Sequence, residues 1–240
     1  MPSRSFRRSQ HLLELTIMNL FRRYGHDHAL FVTLTFAKRL YSIRAAQDKM
    51  NSLYNALRKR YASYIWVIEP HSSGAIHFHL LIPVTFDCHD GTDIDAWARP
   101  ISNDPRREQR RCMNAALRAE DDWWQATAPA YGFGRVDVAP VYGGPDAMRQ
   151  YMAKAKWAEA MELPFTDYER FRFWGRSRSL KSGTINFSWN GPKGREWRVR
   201  MREWAAEYGC HTPEEARAKF GPPWGFYAIL DIERKARGSS

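Results

Sequence analysis

Two β-forming runs with only a turn between them constrain this chain more than any other feature. Tyr64-Ile-Trp-Val-Ile-Glu69 and Ala75-Ile-His-Phe-His-Leu-Leu-Ile82 are rich in β-branched and aromatic residues. Pro70, Ser72, Ser73 and Gly74 separate them, and Pro83 stops the second. The pair predicts an antiparallel hairpin at the centre of a sheet. Upstream, Leu30-Phe-Val-Thr-Leu-Thr-Phe36 alternates Thr33 and Thr35 against Val32, Leu34 and Phe36, which predicts a first strand. From Ser42, a candidate cap, to Arg60, apolar residues recur every three or four positions, the period of a helix with one buried stripe.

Downstream, Gly132 to Tyr142 sets Val136 and Val138 against Arg135 and Asp137, as a last strand does. Gly143-Gly144-Pro145-Asp146 then opens a last helix through Met161. Asp87 to Pro105 reads as loop and Arg106 to Ala126 as helix, together an insertion of about residues 87–130. The order strand, helix, strand, strand, insertion, strand, helix predicts an α+β fold, an antiparallel sheet with helices packed on one face. Arg4, Arg7 and Arg8 ahead of Leu12 and Leu13 read as a helix with a basic lead, with no small-residue cleavage site after it. Beyond Leu163 the patterning weakens, although Thr212-Pro213-Glu214-Glu215 is a good helix start.

Charge narrows the partner. The 240 residues carry a net charge of +11, and it is unevenly placed: +9 over residues 1–60, −6 over 61–169 and +8 over 170–240. Basic flanks around an acidic middle point to a polyanion, nucleic acid first, with carboxylates available for a cation between them. No apolar stretch reaches the roughly 18 residues of a membrane span, so no membrane partner is expected. Three widely spaced cysteines, Cys88, Cys112 and Cys210, give no disulfide framework and fit a reducing cytoplasm.

His77 and His79 lie two apart in a strand, so both imidazoles project from one face while Phe78 points to the other. Glu69, at the end of the neighbouring strand, is the candidate third donor for a divalent ion. His26-Asp27-His28 has the same spacing but lies in a polar stretch without strand character, and Cys88-His89 lacks a second cysteine pair. Tyr151 lies in the last helix with Lys154 three residues on, where the ammonium would favour the phenolate as a nucleophile.

In this order, the strand Phe31–Phe36, Glu69 through His77-Phe78-His79, and Tyr151-Met-Ala-Lys154 resemble the HUH endonucleases, specifically the single-tyrosine rolling-circle replication initiators of phages and plasmids. The resemblance covers about residues 30 to 157. It implies a ferredoxin-like or RNA-recognition-like sheet in an endonuclease domain of residues 1–161, followed by a basic, DNA-contacting extension over 162–240. It also implies Mn²⁺ or Mg²⁺ held by His77, His79 and Glu69, Tyr151 as nucleophile and Lys154 as its helper. Ala155 stands where a two-tyrosine member would carry its second tyrosine, and histidines ahead of the tyrosine disfavour a relaxase.

The implied substrate is single-stranded or hairpin origin DNA, because a buried tyrosine cannot reach a phosphate inside a stacked duplex. No phosphate-loop motif of the Gly-x-x-x-x-Gly-Lys-Ser/Thr kind occurs, so a host helicase would unwind the DNA and a host polymerase would extend the 3′ end. Arg58, Lys59, Arg60, Arg172, Arg176 and Arg178 are the expected phosphate contacts, and Trp174 the expected stacking surface. Two competing readings are a single-tyrosine transposase of the same superfamily and a non-catalytic nucleic-acid-binding module on the same sheet.

Overall fold

The structure, a computed structural model, describes residues 4–71, 73–99, 104–153, 173–180, 192–221, 224–225, 228–229, 231–232 and 235. The chain divides into two compact units, Met1–Ser182 and Gly183–Ser240.

The first unit begins with α1 (Arg4–Tyr24), β1 (Ala29–Phe36), α2 (Ile43–Arg60), β2 (Ile65–Pro70) and β3 (Ile76–Pro83). It continues with α3 (Ile94–Ala98), α4 (Pro105–Cys112), α5 (Ala115–Thr127), β4 (Phe133–Pro140), α6 (Gly144–Ala153) and β5 (Trp174–Arg176). The strands form one antiparallel sheet in the order β4-β1-β3-β2-β5. Its first four strands have the ferredoxin-like arrangement, with the predicted hairpin of β2 and β3 in place and β3 between β1 and β2. Ser42 caps α2 by accepting from the Ala45 amide, as the sequence predicts.

Helices cover both faces of the sheet, where the sequence suggested one. On one face, Val32, Leu34, Trp66, Phe78, Leu80 and Val136 pack against Met50, Leu53 and Leu57 of α2 and Leu117 and Trp124 of α5. Residues 87–130, which read as an insertion, run from β3 to β4 and contribute these fully buried side chains of α5 to the core. On the opposite face, Leu13, Ile17, Leu20 and Phe21 of α1 pack with Met152 of α6 against Ile65, Val67 and Leu81. Their spacing is that of one helical stripe, and burying each such side chain is worth about 2 kcal/mol relative to exposure. The basic lead is therefore the start of a helix that closes a second core.

Two features of the sheet were not visible in the sequence. The first is β5, whose three residues are too few to show alternation and lie in an arginine- and aromatic-rich stretch. The second is a bulge in β4, where the register against β1 shifts between Thr35 and Phe36 and leaves Gly134 without an opposite residue. A Cβ on Gly134 would lie 2.7 Å from the Ala37 Cα, so only glycine fits.

In the second unit, α7 (Pro192–Glu207) and α8 (Pro213–Phe220) share a small core of Met201, Trp204, Cys210, Ala216 and Ile229. Thr212 caps α8 as its sequence predicts. None of the described helices is long and apolar enough to cross a membrane.

Candidate active site

Alternation along β3 puts His77, His79 and Leu81 on the α1–α6 face and Phe78, Leu80 and Ile82 in the other core. On that face the sheet register sets Thr33 of β1 opposite His79 and Thr35 opposite His77. Each threonine hydroxyl meets the Nδ1 of its histidine, at 3.1 Å for Thr33 and 2.9 Å for Thr35. From the other side comes Glu69 of β2, opposite His77 in register, whose Oε2 is bonded to Nε2 of His79. His79 is buried, and Glu69 nearly so. In a neutral His79 ring, Nε2–H donates to the carboxylate and Nδ1 accepts from Thr33. Because a hydroxyl both donates and accepts, Thr33 serves either tautomer.

Tyr151 reaches this group from α6. Its ring stands edge-on to His79, with centroids 5.8 Å apart and planes at 84°. Phe31 completes the arrangement: it stacks on His79 at 5.1 Å and 14°, and meets Tyr151 edge-to-face at 5.4 Å. The tyrosine is not buried as the sequence reading supposed. It is 48% exposed, because the neighbouring Met152, and not Tyr151, is the residue α6 turns into the α1 core.

Glu69, His79 and Tyr151 are thus brought together, with His77 on the same face two residues away and the ring of His71 5.3 Å from its own. Two imidazoles and a carboxylate, with both Nδ1 atoms held by hydroxyls, have the donor chemistry of a divalent-metal site, in which such outer hydrogen bonds orient the ligands. Among the described residues no three His, Cys, Asp or Glu side chains already surround one point. The fit is therefore one of donor type and face. Phe31, Thr33 and Thr35 escaped the sequence reading as site residues. Their signal was the period of β1, which places 31, 33 and 35 on one face once the pairing with β3 is known.

The competing histidines are used otherwise. His26 pairs with Asp27 at 2.7 Å in the turn before β1. The His89 ring donates from Nε2 to the Val141 carbonyl at 2.7 Å, tying the loop after β3 to the approach to α6. Cys88 is fully buried, and burial pushes its thiol up to about 12.

The expected DNA contacts separate into two groups. Arg60 is held by Glu120 of α5 at 2.8 and 3.2 Å and lies over the Trp123 ring at 4.6 Å. Trp174 packs into the α1 core and donates from Nε1 to Ser9 at 2.9 Å, while the Arg176 guanidinium donates to the Leu180 carbonyl. These three have partners within the fold. Arg58, Lys59 and Arg178 are exposed. Lys154 and Arg172 lie outside the described residues.

Residues 29–156 match the family model of the replication-associated protein ORF2/G2P, a stretch that contains β1 to β4 and Tyr151. The chain is also 32% identical over 188 residues to the phasyl DNA replicon protein arp of Escherichia coli, an alignment covering 77% of this chain and 63% of that protein. No solved structure matches. The model accounts for more than half of the chain and for the strands and the helix position that carry His77, His79, Glu69 and Tyr151, and the chain belongs to the replication-associated protein ORF2/G2P family.

Proposed function

We propose that the protein initiates DNA replication by nicking single-stranded DNA at an origin through a 5′-phosphotyrosine on Tyr151, and that it later rejoins the ends. The observation that carries this reading is the contact of a half-exposed tyrosine with a histidine that is itself bonded to a carboxylate. The phenol oxygen of Tyr151 attacks phosphorus as its proton is lost, a P–O bond forms, and the bond to the 3′ oxygen breaks. That oxygen takes up a proton and becomes a 3′ hydroxyl. One phosphoester replaces another, so no nucleotide is consumed, and the reverse step with a new 3′ hydroxyl closes a circle.

Glu69, His77 and His79 are the residues that would hold Mn²⁺ or Mg²⁺. When bound, the ion supplies positive charge at the phosphate oxygens and clamps them for in-line attack. Thr33 and Thr35 orient the two imidazoles, and Phe31 keeps water from one side of His79. Lys154, three residues after Tyr151, would add positive charge near the attacking oxygen. Exposure of Tyr151 admits a polymer to its ring, and an unpaired strand offers its phosphates to a group on a sheet face more readily than a stacked duplex does.

The test is a denaturing gel. Hairpin oligonucleotides from the cognate replicon with Mn²⁺ are expected to give a protein–DNA band that survives denaturation and is absent in Tyr151→Phe. Tight binding of the same hairpins with no band from the unmodified protein would replace nicking by simple binding.

A further inference from the structure

The face of the sheet opposite Tyr151 carries a groove that the nicking chemistry does not use. It runs between α2 and the β2–β5 edge and has a volume of about 690 Å³. One wall is a stripe on α2, Gln47, Asn51, Tyr54 and Arg58, spaced four, three and four residues apart. Tyr64 and Trp66 lie beneath, with the Tyr54 ring stacked on Tyr64 at 5.9 Å and tilted against Trp66 at 6.3 Å. Gly175 of β5 is part of this floor. A Cβ there would fall 2.6 Å from the Trp66 indole, so the strand passes under the ring only as glycine. The turn Ser177–Ser179 forms the far wall and holds up Arg178.

The lining selects its occupant. Among the described residues it contains three guanidinium groups and no carboxylate, in a chain with 26 acidic residues, so it favours an anion. Inorganic phosphate alone would leave the aromatic and amide wall without a role. Side-chain amides pair with base edges, adenine above all, and aromatic rings stack on bases of any kind. Arg58, one turn beyond Tyr54 on α2, lines the groove together with Tyr64.

We propose that this groove holds one unpaired nucleotide of a DNA strand, its base against Tyr54 with its edge read by Gln47 and Asn51, and its flanking phosphates held by Arg58 and Arg178. The inference rests on the reading of the chain as a DNA-handling protein, and not on strand cutting. The groove then contributes sequence preference away from the scissile phosphate.

The experiment uses the full chain carrying Tyr151→Phe, so that no probe is cut, and fluorescence anisotropy with labelled dA, dC and dT strands of about twenty nucleotides. The parent is expected to prefer dA, and Gln47→Ala with Asn51→Ala to reduce that preference about tenfold. Arg58→Ala with Arg178→Ala is expected to weaken all three strands alike and to lower the salt slope by about 1.4, two contacts at ~0.7 each. Equal binding of the three strands by the parent overturns base reading, and unchanged affinity and salt slope in the arginine pair overturn the groove itself. A matched duplex that loses as much affinity as the single strands would overturn the unpaired nucleotide. Adducts are scored separately on the protein with Tyr151 intact. An adduct with no effect of the groove variants sinks the groove alone, and groove effects without an adduct sink nicking alone.

Discussion

His79 and Tyr151 meet edge to face, one from the central strand and the other from α6, across a gap that Phe31 closes. Phe31 touches both rings, so it governs their relative position without offering a polar atom. Phe31→Leu is expected to leave the fold intact, since it removes only part of a half-buried ring, and to slow adduct formation about tenfold. A time course on denaturing gels reads the rate, and a rate equal to that of the parent would mean that the two rings are positioned by something else.

The two threonine contacts separate the histidines. Thr35→Val removes the hydroxyl at His77, and Thr33→Val the one at His79, with little change in volume. Each is expected to weaken Mn²⁺ binding by 10- to 100-fold in calorimetric titration, as loss of an orienting hydrogen bond does at other metal sites. Full Mn²⁺ affinity in Thr35→Val would remove His77 from the ligand set, while the direct bond from Glu69 would still tie His79 to it.

Glu120 joins α5 to the end of α2. It accepts from the Tyr61 hydroxyl at 2.6 Å and from two nitrogens of Arg60, and only 12% of its side chain is exposed. Glu120→Ala leaves a buried hydroxyl and a half-covered guanidinium without their acceptor, at a cost of about 2 kcal/mol. Urea unfolding should show the loss, and Glu120→Gln, which keeps an acceptor oxygen, should recover part of it.

Cys88 makes stability depend on alkaline pH. Its thiol keeps its proton in the folded chain up to about 12, because burial disfavours the thiolate, whereas an unfolded thiol ionises near pH ~8.5. Its stabilising contribution is complete below the unfolded value and is lost as pH rises toward the folded one, since the unfolded state there binds fewer protons. Urea midpoints are expected to fall between about pH 8.5 and pH 10 and to fall less steeply in Cys88→Ala. The same burial predicts that a thiol reagent leaves Cys88 unmodified until the protein unfolds.

The hairpin and the facing of His77 and His79 were legible because a strand has a period of two, and three residues suffice to fix which side each occupies. Glu69 was legible because hairpin partners are close in sequence. Tyr151 was legible as a helical residue, but its exposure depends on α1, which packs on α6 from more than a hundred residues away. Phe31, Thr33 and Thr35 read only as a strand pattern, since their meaning depends on the register with β3, a long-range fact. The pairing of Arg60 with Glu120 is of the same kind, and it turns a basic run that looked like a DNA contact partly into a clamp on α5. The hydrogen bonds of Trp174 to Ser9 and of Arg176 to the Leu180 carbonyl were not legible, because three residues of β5 carry no periodic signal.

The alternation of β3 has one more consequence. A chain that paired this strand one residue out of step would press both imidazoles into grease and push Phe78, Leu80 and Ile82 outward, so the misaligned molecule would be unstable. Quality control and placement are therefore one event here: a copy able to survive proteolysis is already a copy with His79 set against Tyr151.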